Sequence, residues 1–257
     1  MMKNLFLILL VFSIFVSCSE NSIEHELDDD SKIKLYFNYT EQYERNYSVK
    51  IYNSNDSIIE EGTSIIKYLD KRLINSKEYF AFTNKLNFNN SHEYFNVMHR
   101  FDENYLKLFV DTTDSYKLIP DSLSETLVLN FVPELNLLKF PIQLGESWQT
   151  FSLDVVIGTF SINIVRFDAS YVSNESIQVS GYNSPIECMK IKYHIIITLF
   201  ENEDFFTPKI KEYDAYIWFG EKVGIVKSEG NKFFMNSING KYIDLSDTLY
   251  TESLTLQ

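Results

Sequence analysis

Ile191-Lys192-Tyr193-His194-Ile195-Ile196-Ile197-Thr198-Leu199 decides the fold. Large apolar side chains stand at 191, 193, 195, 197 and 199, and Lys192, His194 and Thr198 fall between them. A period of two is the spacing of residues on one face of a strand, so this run reads as a strand with one buried and one wetted face. The same alternation appears in Tyr47-Ser48-Val49-Lys50-Ile51. Further runs rich in β-branched and aromatic residues lie at 33–39, 78–83, 94–99, 105–110, 148–157, 159–172, 213–219, 223–228 and 232–237.

Turn signals separate the runs. Asn239-Gly240 is the sharpest and predicts a tight hairpin between 233–238 and 241–245, because hairpin turns need residues that tolerate positive φ. Glu229-Gly230-Asn231, Ile157-Gly158-Thr159 and Asp102-Glu103-Asn104 are further expected turns. Only 122–129 and 135–138 offer places for a short helix. The expected fold is therefore all-β and antiparallel, either a β-sandwich or an open, curved, barrel-like sheet, forming one large domain over 32–257. Pro133 to Pro141 interrupts the strand pattern and is a candidate internal boundary. No repeat of fixed period points to a propeller or solenoid. Acids and lysines on both faces of many strands argue against a barrel embedded in lipid.

The N-terminus carries an address. Met1-Met2-Lys3 is followed by an apolar run from Leu5 to Val16, then Ser17 and Cys18. As a helix the apolar run covers about 18 Å at about 1.5 Å per residue, short of the roughly 30 Å a bilayer core requires. It reads as a signal peptide over 1–17, with cleavage before Cys18 and lipid attachment at that cysteine. More than one acyl chain there gives durable anchoring, since each buried methylene contributes about 0.8 kcal/mol. Residues 18–31 include Glu20, Glu24, Glu26, Asp28, Asp29 and Asp30, and form an acidic tether with almost nothing to pack. The expected location is the cell envelope, anchored to the outer membrane.

Loss of Lys3 with the signal takes the net charge from −13 to −14, 22 basic against 36 acidic side chains. Such an acidic body repels nucleic acid and anionic headgroups, so the membrane is expected to be a partner only through the lipid on Cys18. With Cys18 acylated, Cys188 stands alone and no internal disulfide forms.

Three features recur in order along the second half. These are Pro141-Ile142-Gln143-Leu144-Gly145-Glu146-Ser147-Trp148, a strand through Cys188-Met189-Lys190-Ile191-Lys192, and Trp218-Phe219-Gly220-Glu221-Lys222-Val223-Gly224-Ile225-Val226-Lys227. In that order they resemble a group of β-rich, bacteroidete-type bacterial lipoproteins of unknown function, over roughly residues 94–235. The resemblance implies an exported or lipid-anchored β domain and carries no catalytic residue with it. Gly145, Gly220 and Gly224 read as turn or close-approach positions, and Trp148 and Trp218 as core fillers.

Chemical motifs are sparse. His25, His92, His99 and His194 include no short ligand pair, so no metal site and no cofactor is expected. Cys188 and His194 lie about 20 Å apart on one extended strand, too far for proton transfer. Acids such as Asp154, Asp168, Glu212 and Asp214 are too numerous for any pair to be singled out as a glycosidase pair. Aromatic residues of one strand, Tyr213, Tyr216 and Trp218, are the candidate ligand-binding set, with a glycan or lipid as ligand. The leading expectation is a non-enzymatic envelope protein of binding or structural role. The alternatives are a carrier sheltering a glycan or acyl chain in a curved sheet, and, third, a hydrolase.

Overall fold

A computed structural model describes residues 36, 37, 40, 42–89, 91–102, 104–110, 127–141, 143–200, 207–242 and 244–257. The signal segment, Cys18 and the acidic tether lie outside the described residues, as do 33–35, 122–126 and His25. Thirteen strands form one open antiparallel sheet. They are β1 (Glu44–Tyr52), β2 (Ile58–Ile74), β3 (Lys77–Phe88), β4 (Ser91–Asp102), β5 (Tyr105–Phe109), β6 (Val128–Phe131) and β7 (Glu134–Lys139). The second half adds β8 (Ser147–Ile157), β9 (Phe160–Ile177), β10 (Ile186–Leu199), β11 (Lys209–Gly220), β12 (Gly224–Asn231) and β13 (Thr251–Leu256).

The strand order is β6-β8-β9-β10-β11-β12-β13-β1-β2-β3-β4-β5-β7. Strands β1 to β5 and β8 to β12 are two meanders of successive neighbours, and β13 joins them by pairing with β12 through Lys227↔Thr255 and with β1 through Val49↔Leu254. Strands β6 and β7 stand at opposite ends of this order, yet only Val132 and Pro133 separate them in the chain. A link of two residues spans only a few ångströms. The two ends of the sheet are thus held close, and the sheet curls into a barrel-like form that stops short of closure.

The alternation expected from the quoted run holds in detail. Ile191, Tyr193, Ile195 and Ile197 are buried inside the curl, and Lys190, Lys192 and His194 lie on the outer face. Inside, Val49, Phe82, Leu108, Leu153, Phe167 and Ile217 complete a continuous apolar core.

Four expectations are corrected. The run 232–237, read as a strand leading to an Asn-Gly hairpin, is a helix, α1 (Lys232–Asn239). Asn231 caps its start by accepting the Phe233 N–H at 3.1 Å, and Gly240 ends it at φ 78°. Positive φ serves a helix stop as well as a hairpin, and here the stop is the one realised. Residues 135–138, a candidate helix, belong to β7, where Leu135, Leu137 and Leu138 are fully buried. Residues 128 and 129, from the other candidate helix, begin β6. Gly230, expected in a turn, lies within β12, and a Cβ there would stand 2.3 Å from the Ala215 Cβ.

Helix α1 fills the inside of the curl. All of Phe233 to Asn239 is buried, and the Phe234 ring lies 5.3 Å from Phe167 and 4.8 Å from Tyr193, centroid to centroid. Strand residue Glu252 is carried into the same interior, 1% exposed, accepting a 2.6 Å hydrogen bond from Asn239 Nδ2. Burial pushes its carboxyl from the usual 4.5 up to about 7, against the pull of the Lys241 and Lys232 ammoniums. Between those two values the folded chain holds a proton that the unfolded chain has released, so stability falls as pH rises from about 4.5 to about 7 and then levels off. The fall is about 3 kcal/mol at about 1.4 kcal/mol per pH unit. Glu252→Gln is expected to remove that slope and to raise the urea midpoint at pH 8. An unchanged slope in the variant would show that another group carries it.

Candidate functional site

Among the described residues, two clefts of about 500 and about 590 Å³ open on the outside of the sheet, and α1 packs against its inside. Among the described residues the interior void lined by Phe37, Tyr47, Phe82, His99 and Ile238 measures about 20 Å³, the scale of a single water. Beside that void, α1 and its aromatic contacts with Phe167 and Tyr193 occupy the inside of the curl.

The first cleft, about 590 Å³, lies over β11, β12, β13 and β1, and is lined by Tyr216, Tyr52, Lys227, Asp214, Ser253 and Thr255 among others. It contains one member of the predicted aromatic set. Tyr213 lies across from Ile195 and packs against the core, on the opposite face from Tyr216 and Trp218. Tyr216 and Trp218 share the outer face with ring centroids 6.1 Å apart, but Trp218 is 2% exposed. Lys190 on β10 and Lys227 on β12 place their ammoniums 4.8 and 4.4 Å from the indole centroid. The indole N–H donates to Glu175 Oε2 at 2.7 Å, and Lys190 pairs with Glu175 Oε1 at 3.0 Å. These two donors, the indole first, hold the Glu175 carboxyl below the usual range. Trp218 is thus enclosed by its cross-strand neighbours, and Tyr216 is the ring of the pair that a ligand in this cleft can reach.

The second cleft, about 500 Å³, follows the seam where β7 and β8 face one another. Residues 153–156 of β8 pair with β6, but 147–152 have a strand neighbour only on the β9 side. The seam is stitched by side chains instead. Trp148 Nε1 donates to Asn136 O at 2.9 Å, and Asn136 Nδ2 donates to Gln149 O at 3.3 Å. From inside, the Tyr193 hydroxyl donates to Leu137 O at 2.6 Å. Thr150 is the extra residue of a bulge, since Gln149 pairs with Asp168 and Phe151 with Phe167. Bulges re-aim side chains and cluster beside functional sites.

Behind the seam sits a buried ion cluster that sequence reading did not find. Arg100 grips Glu134 with both Nε (2.6 Å) and Nη2 (2.8 Å), Lys77 adds a bond at 3.1 Å, and the Tyr79 hydroxyl donates to the same carboxylate. Arg100 also reaches Asp102 at 2.9 Å, which Lys107 holds at 2.6 Å. Burial pushes the Glu134 carboxyl up, but the donors outweigh it and hold the group at about 2. The members come from β3, β4, β5 and β7, so no local spacing in the sequence announces them.

Remaining candidates for chemistry do not assemble. Cys188 is buried, its thiol donating to Ile186 O, and burial pushes that thiol up to about 12. His194 lies on the outer face between Asp214 (3.1 Å) and Glu212 (3.4 Å). His92 is exposed and His99 buried. Among the described residues, no three His, Cys, Asp or Glu side chains converge as metal ligands.

No protein-family model and no curated protein matches the chain. Solved structures similar to it include a lipoprotein from Parabacteroides distasonis, at 12% identity and a TM-score of 0.44, covering 87% of this chain and 99% of that one. A second is an exported protein with a YmcC-like fold from Bacteroides fragilis, at 12% identity and a TM-score of 0.42, covering 83% and 93%. The third is the hypothetical lipoprotein YmcC of Escherichia coli, at 10% identity and a TM-score of 0.35, covering 90% and 89%. By description these are lipoproteins and exported proteins. With TM-scores below 0.5 the likenesses carry no further argument.

Proposed function

We propose that this protein is a lipid-anchored, non-enzymatic component of the cell envelope, held at the outer membrane by acyl chains on Cys18, whose β body takes its ligand on the outside of the sheet. Its support at the N-terminus is the apolar run of Leu5 to Val16 ending at Ser17-Cys18, with the acidic tether behind it. The observation that carries the binding part of the reading is the packed interior: α1 fills the curl, and the clefts of ligand size open outward.

Metabolic labelling with a fatty-acid analogue tests the anchor. The wild-type chain is expected to incorporate label and fractionate with the outer membrane, and Cys18→Ala to lose both. A wild-type chain that takes up no label would sink the reading.

A further inference from the structure

We propose that the seam cleft between β7 and β8 binds an oxygen-rich anion of sugar size, the hexuronate class, with its carboxylate toward Lys107 and Lys139 and its ring and hydroxyls toward Trp148 and Thr150. The inference deepens the reading of an outward-facing binding body and rests on it. At about 500 Å³ the cleft falls in the range of small-molecule sites.

Thr150 is the first reason. It lines the cleft and is 2% exposed, and its hydroxyl is buried with no hydrogen-bond partner among the described residues. Leaving a buried hydroxyl unsatisfied is unfavourable, and a ligand oxygen at the cleft floor removes that cost. The bulge that places this extra residue at the seam breaks the β8–β9 register between Gln149 and Phe151.

Charge is the second reason. The chain is strongly acidic, with a net charge of −13. At the seam the balance reverses: Lys77, Arg100, Lys107 and Lys139 stand against Glu134, Asp102 and Glu146. Glu134 lines the cleft, yet both of its oxygens are already taken by Arg100, Lys77 and Tyr79, so it offers little to a cationic ligand. Lys107 pairs with Asp102 and Lys139 with Glu146, and each ammonium has three donors, so donors remain for an incoming carboxylate. A donor-rich cleft beside the Tyr105 phenol, with the largely buried Trp148 in its wall, suits a ligand with many acceptors and one apolar ring face.

The test is calorimetric titration of the full-length protein, in a detergent without a sugar headgroup, with glucuronic acid and with glucose as its uncharged counterpart. Saturable binding of glucuronic acid and none of glucose is expected. Thr150→Val should weaken binding about tenfold, the effect of one hydrogen bond worth about 1.4 kcal/mol. Lys107→Gln with Lys139→Gln should abolish it, while Lys222→Gln, on the exposed β11–β12 turn, should leave it unchanged. Absence of glucuronic acid binding, equal binding of glucose, or equal loss in Lys222→Gln would each overturn the proposal. If Thr150→Val does not fold, the lysine pair decides. Failure of the Cys18 labelling leaves this titration untouched, so anchor and site can fail separately.

Discussion

Arg100→Met is expected to cost about 3–5 kcal/mol of unfolding free energy, among the largest single losses this chain can show. Glu134 has a side chain only 3% exposed, and Arg100 supplies two of its bonds. Without the guanidinium the carboxylate stays buried with Lys77 and Tyr79 as its remaining donors. Removing the charge as well reverses most of the damage. Arg100→Met with Glu134→Leu should recover to within about 1–2 kcal/mol of wild type, because well-packed apolar groups replace buried ion pairs at little cost. Urea unfolding of wild type, single and double variants at pH 7 measures this directly. A double variant no more stable than the single would show that the cluster acts through packing and not charge. The wild-type contribution also has a pH signature. With the folded carboxyl at about 2 and the usual value at 4.5, it is complete above about 4.5 and is lost as pH falls toward 2. That window is distinct from the one set by Glu252, and the two slopes have opposite sign.

Phe234→Ala is expected to lose about 3–5 kcal/mol, the range for emptying a large aromatic site in a rigid core. The ring is fully buried between Phe167 and Tyr193, which belong to neighbouring strands of the curl. Its removal leaves a dry cavity where α1 fills the interior. Xenon or benzene should then raise the unfolding midpoint of the variant and not of wild type, as apolar cavities accept such probes. The variant should also loosen the seam, since Tyr193 holds Leu137 O from the inside. A loss below about 1 kcal/mol, with no response to xenon, would mean that α1 is not what fills the curl.

Legibility in the sequence followed the range of the interaction. Strands β8 to β11 and β3 to β5 were readable because each carries its own run of strand-forming residues, and Gly158 marked the turn between β8 and β9. Helix α1 was not, since K-F-F-M-N-S-I-N is only eight residues long and carries adjacent aromatics, and so short an apolar run reads as a strand as readily as a helix. One signal was present: Asn231 followed by Asn239-Gly240, a capping residue and a glycine stop nine positions apart. The candidate aromatic set was legible only in part. Period two separates Tyr213 from Tyr216 and Trp218 correctly, but the burial of Trp218 depends on Lys190 and Lys227 from two other strands.

By itself the sequence determined the class of the body, antiparallel β with one wetted face, and the expectation of a lipid at Cys18, because alternation and the N-terminal pattern are carried by adjacent residues. Only the tertiary structure decided that the sheet curls without closing, that a helix occupies its inside, and that Arg100, Glu134 and Thr150 meet along one seam. Those outcomes depend on which strands become neighbours. Pairing across thirteen strands is set by the packing of the whole core, which no window of the chain contains.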